Sequence, residues 1–530
     1  MSATLQDIVA LLAPTFVSGD PRTVFSGVTH DSRKVRPGYI FVAVPGEHVD
    51  GHAFIGRALE AGASAILAMG KPTGALEGVP WIVAPDTRRA LGPVASLVYG
   101  NPGRDMILVG ITGTNGKTTL TFLLESIFSA TGAVPGVIGT ITYRWGATER
   151  SAANTTPEAS DLQEMLALMR DEGVTHAIME VSSHGLHMGR LDGCDFDTGV
   201  FTNLTQDHLD YHGSMEEYFL AKSLLFTKLL PASSKTSPVA VVNGDDPYGR
   251  RLAAQMRHMP LLTYGTSQAL DVYPSSAMVN AEGIELRAET RRGPVRVISP
   301  LTGRFNVSNI LAAIAVAESL GIDREAIRDG IARVRNVPGR LERVSSAAGT
   351  VFVDYAHTPA ALKNVLEALA RICTGRIITV MGCGGDRDKA KRPLMGMEAA
   401  AGSDFVVVTS DNPRTEDPLS IIRQVEEGVR EYGYVALDGN KDQNPLPPRS
   451  YRVIPDRREA IAWAVRALRK SDILLVAGKG HETYQEINGV RYPFDDRQVV
   501  LEELSLLSAS GHGNARHAKR SGDDRETLHS

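Results

Sequence analysis

Short apolar runs, each followed by a stretch of helical periodicity, recur along this chain and constrain its fold more than any other feature. The runs are too short for core helices and are rich in Ile and Val, so we expect buried β-strands. They include Met106–Ile111, Ala177–Val181, Val351–Val353, Ile377–Met381, Phe405–Thr409 and Ile473–Val476. Alternating strands and helices build parallel sheets, which bind ligands at the carboxyl ends of their strands. The sequence therefore predicts an α/β protein whose functional residues directly follow these runs.

The composition narrows the functional classes. Of the 530 residues, 43% are hydrophobic and 22% are charged, as in ordinary folded proteins. The net charge of -5 favours neither nucleic acid nor an anionic membrane as a partner. No apolar run approaches the ~20 residues of a spanning helix, and the N-terminus lacks the pattern of a signal peptide. Three cysteines without a CxxC pair predict neither a disulfide framework nor a thiolate zinc site. We expect a cytoplasmic protein that does not enter membranes.

Turn-rich segments divide the chain into three expected domains. The breaks are placed at Tyr99–Gly103 and at Asn336–Gly339, where Gly, Pro and Asn cluster. The expected domains are residues 1–105, 106–337 and 338–508. The Pro-rich segment 438–448 predicts an exposed loop, and the polar segment 509–530 predicts a disordered tail.

The segment GITGTNGKTT, residues 110–119, predicts a phosphate-binding loop between a strand and an amphipathic helix. Its glycines allow backbone N–H groups to converge on phosphate oxygens, Lys117 adds a cation and Thr118 can place its hydroxyl on Mg²⁺. The strict GxxxxGK[ST] pattern is not met, because Ile111 replaces its first glycine, and an ordinary strand-to-helix turn is the alternative. The expected nucleotide-binding residues here are Gly113, Thr114, Asn115, Gly116, Lys117, Thr118 and Thr119.

Two further groups could complete a metal site beside this loop. Glu180 ends an apolar run, where its carboxylate could ligate Mg²⁺; a capping or surface acid is the alternative. His208 and His212 lie four residues apart, a spacing that can bind zinc, but neither an HExxH pattern nor a cysteine accompanies them. A hard-ion site that uses one imidazole and purely structural histidines both remain open.

Ten short strings occur in order between about residues 25 and 495, a spread that general folding rules do not require. They are GTNGKTT (113–119), NTTP (154–157), EVSSHGL (180–186), TNLTQDHLDYH (202–212), FNVSN (305–309), PGRLE (338–342), DYAHTP (354–359), GGDRDKAKRP (384–393), DNPR (411–414) and GKGHE (478–482). Together they resemble the ATP-dependent Mur ligases of peptidoglycan synthesis. Within that family they are most similar to the enzymes that add the third amino acid to UDP-N-acetylmuramoyl-L-alanyl-D-glutamate.

The resemblance implies a fold and a reaction. The expected fold has an N-terminal domain for the uridine nucleotide, a central P-loop ATPase domain with a parallel sheet and a C-terminal Rossmann-like domain for the amino acid. In the implied reaction, ATP phosphorylates a carboxylate of the nucleotide peptide, and an incoming amine displaces phosphate to form an amide. The expected cofactor is Mg²⁺, and the expected partners are small-molecule substrates of a monomeric enzyme.

The resemblance also implies roles around ATP. Lys117, Glu180, His208 and Lys222 match the catalytic set. Thr118 and Glu180 are expected to hold one Mg²⁺ and His208 a second, while Lys222 matches a lysine that is carbamoylated in the family. Without the resemblance, Lys222 would be interpreted as a solvated surface lysine. Asn309 matches a nucleotide contact, and Arg340 and Asp354 match C-terminal residues that close over ATP.

For the nucleotide peptide, the resemblance implies contacts from two parts of the chain. The expected residues are His30, Ser32, Glu47, His48, Val49, Asn154, Thr155, Thr156, Ser182 and Arg190. Met188 departs from the family, which often has glutamine at that position. By themselves, Thr155 and Thr156 would be interpreted as a helix cap before Pro157.

The added amino acid is expected to be meso-diaminopimelate, with L-lysine as the second choice. The two differ by one distal carboxylate, which an arginine can recognise with two parallel hydrogen bonds. DNPR resembles the diaminopimelate type of motif within the family, and Glu482 is expected to meet the distal ammonium. The expected binding residues are Arg387, Asp411, Asn412, Pro413, Arg414, Gly478 and Glu482.

Two other functions remain as alternatives. A folylpolyglutamate-synthetase-like ligase shares the phosphate loop and the acyl-phosphate chemistry, but the domain before residue 105 and the DNPR string argue against it. A catalytically silent, nucleotide-dependent scaffold is the other, and the intact set of Lys117, Glu180, His208 and Lys222 favours chemistry instead.

Overall fold

The computed structural model forms two compact units of mixed α/β structure. The first contains an N-terminal and a central sheet and extends to Val334; the second contains a C-terminal sheet from Arg335 onward, together with two short segments between residues 278 and 306. The structure describes residues 3–46, 49–72, 78–256, 258–280, 282–346, 349–437 and 446–507. The predicted tail and most of the predicted 438–448 loop lie outside the described residues.

The N-terminal sheet has five strands in the order β1-β5-β4-β3-β2, with only β1 antiparallel to its neighbour. The strands are β1 Phe16–Ser18, β2 Gly27–Thr29, β3 Tyr39–Val42, β4 Ala65–Ala68 and β5 Trp81–Val83, and the helices are α1 Leu5–Leu12, α2 Ile55–Glu60 and α3 Thr87–Val98. Ile40, Leu67 and Ile82 pack in one core with Ile8 of α1 and Val94 of α3. The predicted segment around His30 directly follows β2.

The central sheet has eight strands in the order β13-β12-β11-β6-β10-β7-β8-β9, parallel from β13 to β7. Its strands are β6 Ile107–Thr112, β7 Pro135–Ile138, β8 Thr142–Trp145, β9 Thr148–Ser151, β10 His176–Glu180, β11 Thr198–Phe201, β12 Val239–Asn243 and β13 Leu261–Tyr264. Strand β6 lies between β10 and β11, which come later in the chain. In such sheets the ligand crevice opens where consecutive strands are not neighbours, and the phosphate loop follows β6.

Helices surround the central sheet, and a small second sheet follows it in the order β14-β15-β16. The helices are α4 Lys117–Ala130, α5 Ala159–Asp171, α6 Ser183–His187, α7 Leu209–His212, α8 Met215–Leu224, α9 Leu230–Ala232, α10 Pro247–Gln255, α11 Arg304–Ser319 and α12 Arg324–Arg333. The small sheet contains β14 Tyr273–Val279, β15 Ile284–Glu289 and β16 Val295–Ser299. A π-helical turn, Leu225–Leu229, continues α8.

The C-terminal sheet has seven strands in the order β17-β18-β23-β19-β20-β22-β21, parallel except for β17. The strands are β17 Glu342–Ser346, β18 Gly349–Asp354, β19 Ile377–Met381, β20 Phe405–Val408, β21 Val435–Ala436, β22 Ser450–Val453 and β23 Ile473–Ala477, followed by the hairpin β24 Tyr484–Ile487 and β25 Val490–Pro493. The helices are α13 Pro359–Ala370, α14 Lys391–Gly402, α15 Pro418–Glu431 and α16 Arg457–Ala467, and residues 496–507 are also helical.

All six predicted strands are present, displaced at their ends by at most two residues. Their apolar runs are buried on both faces, as parallel strands between helices require. The expected α/β class is therefore confirmed. Among the described residues, no helix is both long and apolar enough to cross a membrane.

Candidate functional site

The phosphate loop connects β6 to α4 and is shaped by two glycines with positive φ. Gly113 has φ 144° and Gly116 has φ 89°, conformations that residues with a side chain rarely adopt. A Cβ at Gly113 would collide with Thr202 Oγ1, and one at Gly116 would lie 2.5 Å from Asn309 Oδ1. Asn309, which is predicted to contact the nucleotide, therefore lies beside Gly116. No larger residue fits at either position.

Lys117 turns back over the loop that precedes it. Its Nζ donates to Gly113 O at 2.9 Å and to Thr114 O at 3.0 Å. The ammonium group is therefore held over the loop, where phosphate oxygens bind in loops of this kind.

A second segment, which the sequence analysis did not single out residue by residue, braces this loop. Asn203 accepts from two loop amides, through its carbonyl from Thr114 N and through Oδ1 from Asn115 N, both at 2.9 Å. Thr202 Oγ1 donates to Asn115 O at 2.7 Å. These residues follow β11 and belong to the string TNLTQDHLDYH, which resembles the Mur ligases. That resemblance was the signal that could have identified them.

Glu180 is a buried acid and not a surface one, with 1% of the residue exposed. At the end of β10 its Oε2 accepts from Thr118 Oγ1 at 3.1 Å and from Thr140 Oγ1 at 2.9 Å, and its Oε1 accepts from Thr140 N at 3.0 Å. The structure therefore brings together Thr118 and Glu180, the two predicted ligands of one Mg²⁺. Thr140 was missed in the sequence analysis.

Lys222 is buried, so its interpretation as a solvated surface lysine is wrong. Only 2% of the residue is exposed, its Nζ donates to Gly113 O at 3.0 Å, and the same Nζ lies 4.6 Å from the centre of the Tyr218 ring. Burial and the nearby positive charge of Lys117 lower the pKa of Lys222 well below its usual value. Both effects shift this amine towards its neutral form.

His208 lies at the first turn of α7, exposed, with its Nε2 3.5 Å from Asp207 Oδ2. Its ring lies 5.1 Å from that of His184, and His184 also stacks on Tyr211 at 3.9 Å. His212 Nε2 lies 2.9 Å from Ser183 Oγ. Among the described residues, no three His, Cys, Asp or Glu side chains are arranged to hold a metal.

The predicted peptide-binding residues of the central sheet form one hydrogen-bonded group. Thr156 Oγ1 donates to Glu180 O at 3.0 Å and accepts from Ser182 N at 3.0 Å. Arg190 Nη1 donates to Thr156 O at 3.0 Å, and Thr155 Oγ1 lies 3.1 Å from Thr140 Oγ1. The helix-cap interpretation of Thr155 and Thr156 is wrong, because Glu158 occupies the N-cap of α5.

The other predicted peptide contacts are less tightly grouped. His30 Nδ1 lies 3.2 Å from Ser160 Oγ on α5, and Ser32 is buried. Asn154 is exposed, with its backbone bonded to the Tyr143 hydroxyl, and Val49 is 56% exposed. Glu47 and His48 lie outside the described residues. Arg190 Nη2 lies 3.4 Å from Met188 Sδ and pairs with Glu158 Oε1 at 2.6 Å.

In the second unit, Arg340 lies just before β17, and Asp354 is the last residue of β18. Asp354 is buried and accepts from Leu341 N at 2.5 Å and Ala356 N at 2.7 Å, while its carbonyl accepts from Gly478 N at 3.0 Å. Burial raises the pKa of Asp354. The guanidinium of Arg340 lies 4.6 Å from the centre of the Tyr355 ring.

The DNPR and GKGHE strings meet at the ends of β20 and β23. Asn412 Nδ2 donates to Glu482 Oε2 at 2.8 Å, and a Cβ on Gly478, which has φ 115°, would lie 2.8 Å from Asp411 Oδ2. Lys479 Nζ lies 3.0 Å from both Asn412 Oδ1 and Glu482 Oε2. We call Asp411, Asn412, Lys479 and Glu482 the charged cluster.

The two predicted arginines lie on neighbouring loops. Arg414, in the left-handed conformation with φ 51°, donates from Nη1 to Gly385 O at 2.7 Å, and its Nε lies 4.0 Å from Glu486 Oε2. Arg387 is exposed and its Nη1 donates to Asp386 O at 2.9 Å. Pro413 separates Asn412 from Arg414, and the carbonyl of Asn412 accepts from Gly385 N at 2.9 Å.

Three family models match consecutive parts of the chain. They are the Mur ligase family catalytic domain over residues 24–99, the Mur ligase middle domain over 111–317 and the Mur ligase glutamate ligase domain over 339–480. This chain belongs to the Mur ligase family. The three matched segments also confirm the expected three-part architecture, although the boundaries at residues 105 and 337 stay predictions.

Curated Mur ligases match nearly the whole chain. The UDP-N-acetylmuramoyl-L-alanyl-D-glutamate--2,6-diaminopimelate ligase of Geobacter metallireducens is 45% identical over 96% of this chain and 100% of its own length. The ligase of the same name from Streptomyces coelicolor is 43% identical over 95% of this chain and 96% of its own.

Solved structures share the fold. A structure named for the same ligase is 35% identical, with a TM-score of 0.68 over 96% of this chain and 100% of the other. MurF from Thermotoga maritima in complex with ADP reaches a TM-score of 0.59 at 19% identity, covering 90% of this chain and 96% of the other. Folylpolyglutamate synthase of Mycobacterium tuberculosis, with ADP and AMPPCP, covers 74% of this chain and 92% of its own at a TM-score of 0.59 and 21% identity. The last two show a common fold alone.

Buried cations of the second unit escaped the sequence analysis. Arg392 is fully buried and donates to Glu416 Oε1 at 2.8 Å. Arg457, also fully buried, pairs with Asp496 at 2.7 Å and donates from Nη2 to Ala477 O at 2.9 Å. Lys479 lies inside the GKGHE string, so the string could have drawn attention to it, whereas no pattern distinguishes Arg457 from the exposed Arg458 beside it.

Proposed function

We propose that this Mur ligase joins meso-2,6-diaminopimelate to UDP-N-acetylmuramoyl-L-alanyl-D-glutamate, converting ATP to ADP and phosphate in peptidoglycan precursor synthesis. The observation that carries the proposal is the 45% identity, over 96% of the chain, to a ligase named for this reaction. We further propose that the chain works as a monomer in the cytoplasm, since its substrates are small, soluble molecules.

The chemistry follows from the carboxylate of the nucleotide peptide. A carboxylate is a poor electrophile, and phosphorylation both removes its charge and supplies a leaving group. The neutral amine then attacks the acyl carbon, phosphate departs with the electron pair of the C–O bond, and the nitrogen loses one proton to water. Because two anions must first approach each other, the site needs positive charge near the transferred phosphoryl group, as Lys117 provides.

The residues around Glu180 suit a hard cation. Thr118 and Glu180 offer oxygen atoms, the ligands that Mg²⁺ prefers, and they already lie within 3.1 Å of each other. Bound Mg²⁺ would neutralise phosphate charge there. We propose that His208 serves a second Mg²⁺. An amine adds carbon dioxide to give a carbamate only in its neutral form, and burial shifts the pKa of Lys222 in the direction of that form. We propose that Lys222 is carbamoylated and serves the metal site.

We assign the nucleotide peptide to His30, Ser32, Val49 and the group around Thr156, and the amino acid to the second unit. Arg414 and Arg387 supply positive charge for the distal carboxylate of diaminopimelate, Glu482 meets its distal ammonium, and Asp411, Asn412 and Gly478 are further contacts. The hydrogen bond from Asn412 to Glu482 supports this assignment, because it joins two of the proposed contacts.

The test is phosphate release by the purified chain with ATP, Mg²⁺ and the nucleotide peptide. We expect meso-diaminopimelate to be used far faster than L-lysine; equal rates would contradict the specificity. Isotope-labelled oxygen in the glutamyl carboxylate should appear in the released phosphate, and its absence would contradict the acyl phosphate.

The same assay separates the alternatives. Faster release with L-lysine would support the second amino acid, and release that requires a folate with glutamate would support a folylpolyglutamate-synthetase-like activity. No release with any of these substrates would support a silent scaffold.

A further inference from the structure

Lys479 is a fully buried lysine in the turn between β23 and β24. Its side chain is 0% exposed, and the turn around it contains two glycines with positive φ, Gly478 and Gly480. A buried ammonium group is costly unless hydrogen bonds and negative charges compensate it. The buried charge of Lys479 must therefore be compensated by neighbouring groups, which a surface lysine does not need.

The compensating groups come from two distant segments of the chain. Lys479 Nζ donates to Asn412 Oδ1 and to Glu482 Oε2, each at 3.0 Å, and Asn412 Nδ2 donates to the same Glu482 Oε2 at 2.8 Å. Asn412 Oδ1 also accepts from Glu486 N at 2.9 Å. These bonds fix which way the Asn412 amide faces and hold Glu482 by one oxygen. Within the described part of the chain, the other oxygen, Glu482 Oε1, has no hydrogen-bond partner.

The charges of this group do not balance. Lys479 carries one positive charge, whereas Asp411 and Glu482 carry two negative charges; the nearby charge of Arg457 is matched by that of its partner Asp496. Asp411 Oδ1 lies 3.7 Å from Lys479 Nζ and is buried without a hydrogen bond among the described residues. A buried site with one surplus negative charge favours a cationic ligand.

We propose that Lys479 is a positioning residue for the diamino acid, holding Asn412 and Glu482 so that Glu482 Oε1 presents its negative charge to an ammonium group. The proposal rests on the function proposed above. Lys479 does not contact the reacting atoms; it acts through Glu482 and Asn412. Without it, two carboxylates would repel each other and the Asn412 amide could turn over.

The experiment compares Lys479→Met with the wild-type chain in steady-state phosphate release. We expect the KM for diaminopimelate to rise on the order of 10- to 100-fold, because hydrogen bonds to charged groups are lost, while the KM for ATP is unchanged. Phosphorylation of the nucleotide peptide is followed separately, by isotope exchange between the βγ-bridging and the β-nonbridging oxygens of ATP without any amino acid. That exchange should be unchanged.

Two variants sharpen the design. Lys363→Met, at an exposed lysine on α13 of the same unit, is the matched control and should change nothing. In a Glu482→Gln background, Lys479→Met should raise the KM for diaminopimelate little further, because the two residues act together. If Lys479→Met does not fold, Lys479→Gln, which keeps a hydrogen-bond donor without the charge, carries the same test.

An unchanged KM for diaminopimelate would overturn the proposal. The proposal would also be overturned if Lys479→Met lowered isotope exchange and kcat and raised the KM values for both ATP and diaminopimelate. Such a general loss would show that Lys479 has only a structural role. If the wild-type chain exchanges isotope but never uses diaminopimelate, the proposed substrate is wrong and the positioning role falls with it.

Discussion

The phosphate loop and the charged cluster are built in different ways. Most of the loop's shape comes from one stretch of chain, residues 113–119, in which Lys117 bonds to carbonyls three and four residues before it. The charged cluster joins Asp411 and Asn412 to Lys479 and Glu482, about seventy residues later in the chain, through buried charges. A site made of one segment depends mainly on its own residues, whereas a composite site depends on whatever holds its segments together.

The strongest test of this contrast is Arg457, which lies outside the charged cluster. Its Nη2 donates to Ala477 O just before Gly478, and its Nη1 lies 3.4 Å from Ser410 O just before Asp411. Arg457→Met would leave Asp496 buried and unpaired, so we expect a loss of about 3–5 kcal/mol in the free energy of unfolding. Urea denaturation measures it.

The matched control for Arg457 is its neighbour. Arg458 pairs with Glu502 at the surface, where both side chains are about half exposed, and Arg458→Met should cost less than about 1 kcal/mol. The double variant Arg457→Met with Asp496→Leu should recover most of the stability, since no buried charge remains. Equal losses at both arginines would refute the idea that a buried pair holds the composite site together.

The second test removes the cation of the phosphate loop. Lys117→Met should lower kcat on the order of 10²- to 10³-fold, the effect of losing one group that stabilises developing charge. The melting temperature should stay near that of the wild type, because the loop is also braced by Asn203. Lys71→Met, at an exposed lysine of the same unit, is the control. Phosphate release and thermal denaturation measure the two effects, and a large drop in melting temperature would show that the fold of the loop depends on Lys117.

The third test concerns the choice of amino acid. Arg414→Ala should raise the KM for diaminopimelate on the order of 10- to 100-fold, because an arginine–carboxylate pair is lost. The rate with L-lysine, which has no distal carboxylate, should not fall. Arg423→Ala, on α15 and mostly exposed, is the control. An unchanged KM in steady-state kinetics would remove Arg414 from the site.

The last expected effect, which vanishes near neutral pH, is a pH dependence in the second unit. Burial, reinforced by the charge of Arg340, lowers the pKa of His481 to about 3. Unfolded histidine binds a proton below about pH 6.5, so between those values the unfolded chain takes up a proton that the folded chain excludes. The stability from this group is full above pH 6.5 and is lost as the pH falls towards 3.

His481→Gln should therefore show a shallower decline of stability over that pH range. Chemical denaturation at a series of pH values measures the slope, with His258→Gln, at an exposed histidine, as the control. Identical slopes for wild type and His481→Gln would show that the proton uptake of His481 does not differ between the folded and unfolded states.

Prediction from the sequence succeeded where a feature depends on residues that are close together in the chain. The strand–helix alternation and the glycine-rich turn between β6 and α4 are local patterns, and the structure has both where the patterns predict. It failed where burial decides, as at Lys222, whose type and helical setting suggest a surface position. Thr155 and Thr156 show the same limit, because a Thr before Pro looks like a cap until the neighbouring strand supplies Glu180 O as a partner.

The amino-acid sequence by itself determined the α/β class, the phosphate loop and, through its ordered strings, the family and the candidate residues. These properties depend on which residue types lie close together in the chain, and that order is already present before the chain folds. Only the tertiary structure decided which charges are buried and which partners they meet, as at Lys222, Arg457 and Lys479. Burial and pairing arise when distant segments pack together, and side-chain type alone cannot specify which of two neighbouring arginines, Arg457 or Arg458, loses its contact with water.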